Sequence, residues 1–273
     1  MKRLLILPIL ATSLLLLSSN ATSFVGMIRH DVDIDKYREI GRQPEFKCVG
    51  RYAISETSED YAVGVLISSK WVLTAAHFVQ DSSVWKFGGH FYRTKRIIKH
   101  PKLLPNAEET QWNGWDMALV ELENHVLNVK PAERYRGNEE LGRMVTKLGY
   151  GYLGNGKAGL ATPRVQEKLG GHNRIDAIGG LFEERAFSES VMVCDFDSPE
   201  NKESNQFGSP IPLQLEIGGS KGDSGGGVFM DDNGTFVLVG IVSGALNRQI
   251  KYGAVMALAR VSKSNDWIDS VIE

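Results

Sequence analysis

From residue 61 onward the chain is a succession of short apolar runs separated by Gly, Asn, Asp and Ser. YAVGVLIS (61–68), WVLTAA (71–76), RIIKH (96–100), MALVEL (117–122), MVTKLGYG (144–151), VMVCDF (191–196), FVLVGIVSG (236–244) and YGAVMALARV (252–261) each have the length and residue types of a strand. No long stretch with an apolar residue every three to four positions alternates with them, so the pattern predicts an all-β chain of barrel or sandwich type. The exception is the C-terminus. After a capping Ser264 or Asn265, Trp267, Ile268, Val271 and Ile272 fall on one face, which predicts a short helix over 264–272. The segment 130–143, KPAERYRGNEELGR, is the candidate connection between two halves, and 201–220 reads as a polar loop. There is no internal repeat.

Residues 1–23 follow a different pattern. Lys2 and Arg3 precede LLILPILATSLLLL, and small polar residues follow. A basic start, an apolar middle and a small-residue cut site near 21–23 predict a secretory leader. Pro8, Thr12 and Ser13 interrupt the run, which weighs against a membrane anchor. The expectation is a protein exported from the cytoplasm, with 24–273 as its mature domain and no membrane association after cleavage. The net charge of −2 over 273 residues gives no electrostatic footprint for a nucleic-acid partner. The locally basic Arg93, Lys95, Arg96 and Lys99 read as a solvated strand face, because no aromatic platform accompanies them. The two cysteines, Cys48 and Cys194, could pair or stay as buried thiols. No CxxC or HExxH occurs, and neither metal nor cofactor is expected.

Three short segments carry the candidate chemistry. His77 ends the apolar WVLTAA run, where flanking alanines leave its imidazole the only large polar group. Asp116 immediately precedes an apolar strand, so its carboxylate is expected to be buried and to need a partner. Ser224 lies in GGSKGDSGGG (218–227), where glycines can bend the backbone around one hydroxyl and turn N–H groups into one small space. Each segment alone also fits a strand end, a turn or a flexible loop.

In the order His, Asp, Ser, the chain resembles the trypsin/chymotrypsin-like serine endopeptidases over about Gly64 to Ile268. WVLTAAH, DMALVEL, GDSGG and GIVSG carry the resemblance, with IIKHP (97–101) and GYG (149–151) in support. IRHD (28–31) and the DFD segment look most like bacterial secreted members. The resemblance implies two six-stranded antiparallel β-barrels, about 45–130 and 144–261, with the active site in the cleft between them. It implies His77 as general base, Asp116 as its orienting carboxylate and Ser224 as nucleophile, working through an acyl-enzyme. The N–H groups of Gly222 and Ser224 would form the oxyanion hole. Ser243 would support Asp116 and, with Gly244 and Ala245, lead along the substrate. The expected partners are polypeptide substrates, and the expected state is a monomer. A catalytically silent relative that binds proteins through the same fold is the alternative.

The chain also departs from the family pattern. Phe78 and Ala62 stand where a bridged cysteine pair is common, and Gly227 where a proline often follows the glycines. No IVGG occurs, although the family often pairs a newly freed N-terminal amine with the aspartate before the serine, here Asp223. FVGM (24–27) is a faint counterpart, so either Phe24 or some other group meets Asp223. Six positions before Ser224, at the base of the primary specificity pocket, stands Gly218, followed by Gly219 and Ser220. With no carboxylate there, the resemblance implies a preference for small or apolar side chains, narrowed by Ala245. The competing arrangement swings Glu216 into the pocket and selects Arg or Lys.

Overall fold

The computed structural model describes residues 26–57, 62–160, 167–247 and 249–272. The leader at 1–23 and Phe24 lie outside these residues. Among the described residues no helix is long and apolar enough to cross a membrane.

The chain enters through β1 (Gly26–Ile28) and helix α1 (Ile34–Arg42), whose Asp33 cap accepts from Asp35 N at 2.9 Å. Six strands follow: β2 (Val49–Ala53), β3 (Ala62–Ser68), β4 (Trp71–Thr74), β5 (Val84–Phe87), β6 (His90–Lys99) and β7 (Ala118–Leu122). They close into an antiparallel barrel in the order β2-β3-β4-β7-β6-β5. Strands β4 and β7 are buried along their whole length, which is why they read as unbroken apolar runs. Helix α2 (Ala107–Asn113) interrupts the link between β6 and β7.

The second half contains β8 (Glu133–Arg134), β9 (Met144–Gly149), β10 (Leu153–Asn155), β11 (Gly159–Leu160), β12 (Leu169–Arg174), β13 (Ala177–Phe182) and β14 (Arg185–Asp195). It continues with β15 (Ile217–Gly218), β16 (Gly227–Asp232), β17 (Thr235–Ala245) and β18 (Val255–Arg260), and ends in α3 (Asn265–Ile272). The main sheet runs β12-β9-β16-β17-β18-β14-β13. Its two ends, β12 and β13, are separated in the chain only by Ile175 and Asp176. One bent segment therefore pairs with β9 at its start and with β14 at its end, curling the sheet round on itself. Among the described residues hydrogen-bonded closure is complete only in the first barrel. A small sheet, β11-β10-β1-β15, packs the N-terminal strand beside the second half.

The all-β architecture with a C-terminal helix is as the pattern predicts, with one correction. Helices α1 and α2 precede the C-terminal one. In α1 only Tyr37, Ile40 and Gly41 are buried, and α2 is a single seven-residue piece, so neither leaves an extended 3.6-residue apolar period. A continuous core joins the halves: Leu148, Phe229, Leu238 and Ile241 from the second pack with Val65, Leu73 and Leu119 from the first, and Ile268 of α3 joins them. Both cysteines are buried free thiols. Phe78 packs edge-on against Tyr52 at 5.1 Å, so aromatic contact occupies the ground of the missing crosslink.

Candidate active site

Strand β4 ends at Thr74, and the fully buried Ala75 and Ala76 carry the chain to His77 at the surface. Asp116 lies just before β7, the direct neighbour of β4 in the barrel, so the two residues meet. Its carboxylate is 1% exposed and accepts four hydrogen bonds. Ala76 N and His77 N donate to Oδ1 at 2.9 and 3.0 Å. His77 Nδ1 and Ser243 Oγ, from β17 of the second half, each lie 2.6 Å from Oδ2. On the far side of the ring, His77 Nε2 lies 3.0 Å from Ser224 Oγ.

A carboxylate can only accept, so it fixes the imidazole proton on Nδ1 and leaves the Nε2 lone pair facing the serine hydroxyl. The ring is further oriented by Phe78, edge-on at 5.5 Å.

The serine loop is tied to both halves. Val63 N of β3 donates to Ser224 O at 2.9 Å, and Gly225 N donates to Val242 O at 2.8 Å. Within the loop Asp223 N donates to Ser220 O at 3.1 Å and Gly226 N to Asp223 O at 2.8 Å. Gly222 has φ +90°, a conformation that side chains other than glycine rarely adopt, and this bends the turn toward Ser224. Asp223, fully buried, meets Lys147 of β9 in an ion pair. The amine open to assignment in the sequence is therefore matched by a lysine. The signal for it was a lone lysine inside an apolar strand, in MVTKLGYG.

A cavity of about 240 Å³ opens beside Ser224, lined among others by Gly219, Ser220, Gly244, Ala245, Asn247, Ala254, Val255 and Met256. Of the residues that the sequence places along the substrate, Gly219, Gly244 and Ala245 are there. Gly218 is not among the lining residues: it pairs with Met27 of β1, and a side chain on it would meet the Phe196 ring at 3.1 Å. Ser243 donates to Asp116, the contact the resemblance implies, and is not among the lining residues. Met256, Asn247 and Gln249 also line the cavity, and no motif or pattern in the sequence marks them.

Glu216 is 2% exposed and turned away from this cavity, accepting from Asp197 N at 2.7 Å and Leu213 N at 2.5 Å. Burial pushes its carboxyl up to about 8. Asp197, pushed up by burial to about 7, and Asp176, pushed up by burial and by the Asp195 charge to about 8, belong to the same acidic group behind the cavity wall. Among the described residues no carboxylate lines the cavity.

A serine hydroxyl, an imidazole and a buried carboxylate stand in hydrogen-bonded series at the seam of two antiparallel β-sheets. The chain belongs to the trypsin family: the family profile described as Trypsin matches residues 41–177. The collagenase of Hypoderma lineatum is 26% identical over 219 residues, covering 75% of this chain and 74% of that protein. The trypsin of Simulium vittatum is 42% identical over 80 residues, 25% of this chain and 30% of its own length. Among solved structures, neuropsin, a serine protease expressed in the limbic system of mouse brain, superimposes with a TM-score of 0.59. At 18% identity, covering 85% of this chain and 98% of that one, it shares the fold.

Proposed function

We propose that this protein is a secreted serine endopeptidase that cleaves peptide bonds through an acyl-enzyme, with Ser224 as nucleophile, His77 as acid–base and Asp116 as orienting carboxylate. The observation that carries this is His77, 2.6 Å from Asp116 and 3.0 Å from Ser224. Ser224 Oγ attacks the substrate carbonyl carbon as its proton passes to His77 Nε2. Negative charge gathers on the former carbonyl oxygen, which accepts from Gly222 N and Ser224 N. His77 then gives the proton to the departing amine, leaving an ester on Ser224. Water, deprotonated by the same imidazole, releases the acid and restores the hydroxyl. Backbone donors of this kind are worth about 3–4 kcal/mol each in the transition state.

The cavity beside Ser224 accepts the side chain preceding the cut. Among the described residues its lining is apolar or neutral around Met256 and Ala245, with Lys221 also present, so small and medium apolar side chains fit best. Burying an uncompensated guanidinium or ammonium there would cost several kcal/mol. The leader pattern at 1–23 supports export, and the protein is expected to act as a monomer on polypeptides.

Hydrolysis of a peptide library by the mature protein tests the proposal. Ser224→Ala should abolish cleavage while leaving the far-UV circular dichroism unchanged. Wild-type turnover in that variant would refute the serine mechanism, and an inert wild type would leave a protein-binding relative in its place.

A further inference from the structure

Lys147 is a charged side chain at the centre of the second barrel, 1% exposed, on a strand held on both sides. Its backbone registers with Gly171 of β12 and with Val228 of β16. Its ammonium donates to the carboxylate of Asp223 and, at 3.3 Å, to Gly218 O. The remaining donors to Asp223 come from two other points of the same half. Gly151 N reaches Oδ1 at 3.0 Å, while Ser220 N and Ser220 Oγ reach Oδ2 at 2.9 and 3.0 Å. The two glycines of GYG make room for this carboxylate: a Cβ on Gly149 would stand 2.0 Å from Oδ1, and one on Gly151 would stand 2.7 Å from it.

Asp223 lies between Gly222 and Ser224 in the chain. Where its carboxylate is anchored decides where the two flanking N–H groups point. A buried carboxylate without a counter-charge is costly, and the loop carrying it could lower that cost by turning the group out to water. With Lys147 present the loop gains nothing by turning out. The counter-charge is also part of a barrel strand that exists whenever the second half is folded. β1, the first described segment, is meanwhile engaged with β10 and β15.

We infer that Lys147 is a positioning residue that fixes the Ser220–Ser224 segment through Asp223, so that the backbone donors of the active site form without an N-terminal amine being freed by proteolysis. This rests on the proposed peptidase activity for its kinetic consequences, but the loop geometry can be read without it.

The test compares the full mature protein with Lys147→Met, which keeps side-chain length and removes the charge, and with Lys147→Met/Asp223→Asn, which leaves no buried charge. The wild type should be equally active with or without a short extension ahead of its mature N-terminus. Lys147→Met should lose about 10²-fold or more in kcat, the scale of one oxyanion donor, with KM little changed. The double variant, which holds no buried charge, should melt above Lys147→Met but recover none of the activity, which separates positioning from stability. Propylammonium should partly restore kcat in Lys147→Ala, whose shortened side chain leaves room for it. In parallel, the amide ¹⁵N–¹H signals of Gly222 and Ser224 should shift in Lys147→Met and Lys147→Ala, and return with propylammonium in Lys147→Ala. Those signals report on the loop even if no substrate is cleaved. Unmoved amide signals, wild-type kcat in Lys147→Met, or activity that appears only after N-terminal trimming would overturn the inference. A wild type without hydrolysis but with the expected amide shifts would overturn the peptidase proposal alone.

Discussion

Replacing Asp116 with Asn leaves the shape of the site almost unchanged and reverses its proton logic. Oδ1 of Asp116 accepts from two backbone donors, Ala76 N at 2.9 Å and His77 N at 3.0 Å. The amide oxygen of Asn must take that position, because an NH₂ there would face two N–H groups and orphan all of them in a buried site. The NH₂ is then forced into the place of Oδ2, facing His77 Nδ1 and Ser243 Oγ, each now at 2.6 Å from a carboxylate oxygen. It donates to Nδ1, so the imidazole proton moves to Nε2. Ser224 Oγ, at 3.0 Å, then meets a donor where it needs an acceptor. The base is in place but in the wrong tautomer, for which a loss of about 10⁴-fold in kcat is the expected scale. Steady-state kinetics on a peptide substrate measure the loss, and ¹⁵N spectra of His77 report the tautomer. Ser243 Oγ can rotate to accept from the new NH₂, so the melting temperature should move by only a few degrees. If the variant kept more than about a tenth of wild-type kcat, or kept the proton on Nδ1, the tautomer argument would be wrong.

Further outcomes follow from the cavity, from the buried acidic group and from His100. In fluorogenic peptides differing only in the residue before the cut, Ala, Val or Leu should be favoured over Arg or Lys. Met256→Ala should move the preference to larger side chains, whereas a basic preference abolished by Glu216→Gln would place that carboxylate in the pocket after all. In stability against pH, Glu216 rises from an ordinary 4.5 to about 8 on folding, so between those values the native state holds a proton that the unfolded chain has released. Its contribution is fully present below about 4.5 and is lost as pH rises through about 8, and Glu216→Gln should flatten that fall in urea midpoints. His100, held between Trp115 and Trp267 and pushed down to about 4 by burial, acts in the opposite sense, and its contribution is lost as pH falls from 6.5 toward 4. An unchanged slope in Glu216→Gln would show that its raised value is not what drives the alkaline loss.

What was legible in the sequence follows from how each element is buried. Strands β4 and β7 and most of β3 are covered on both faces, so they appear as continuous apolar runs, and the residues at their ends, His77 and Asp116, stand out against them. Strand β6 shows only RIIK of its ten residues, because much of it is exposed and polar. Strands β12 and β13, LGGHNR and AIGGLF, are hidden by glycine, which weakens any strand signal. Helix α1 meets the rest of the protein through few side chains and reads as a polar segment. Lys147 had the plainest signal of the overlooked residues, but its partner lies 76 positions away, and local pattern carries no information about a contact of that range. Gly218 was assigned by counting back from Ser224. The backbone turns it toward β1 and Phe196, and the described lining of the cavity begins at Gly219.

The central claim is that Ser224 is a nucleophile activated by His77, and covalent labelling tests it most directly. The mature protein, treated with a peptidyl phosphonate carrying a small apolar side chain at the reacting position, should gain one adduct by mass spectrometry. Peptide mapping should place that adduct on Ser224, and His77→Ala should slow its formation by orders of magnitude. No adduct on a folded protein, an adduct on another residue, or labelling of His77→Ala at the wild-type rate would contradict the account.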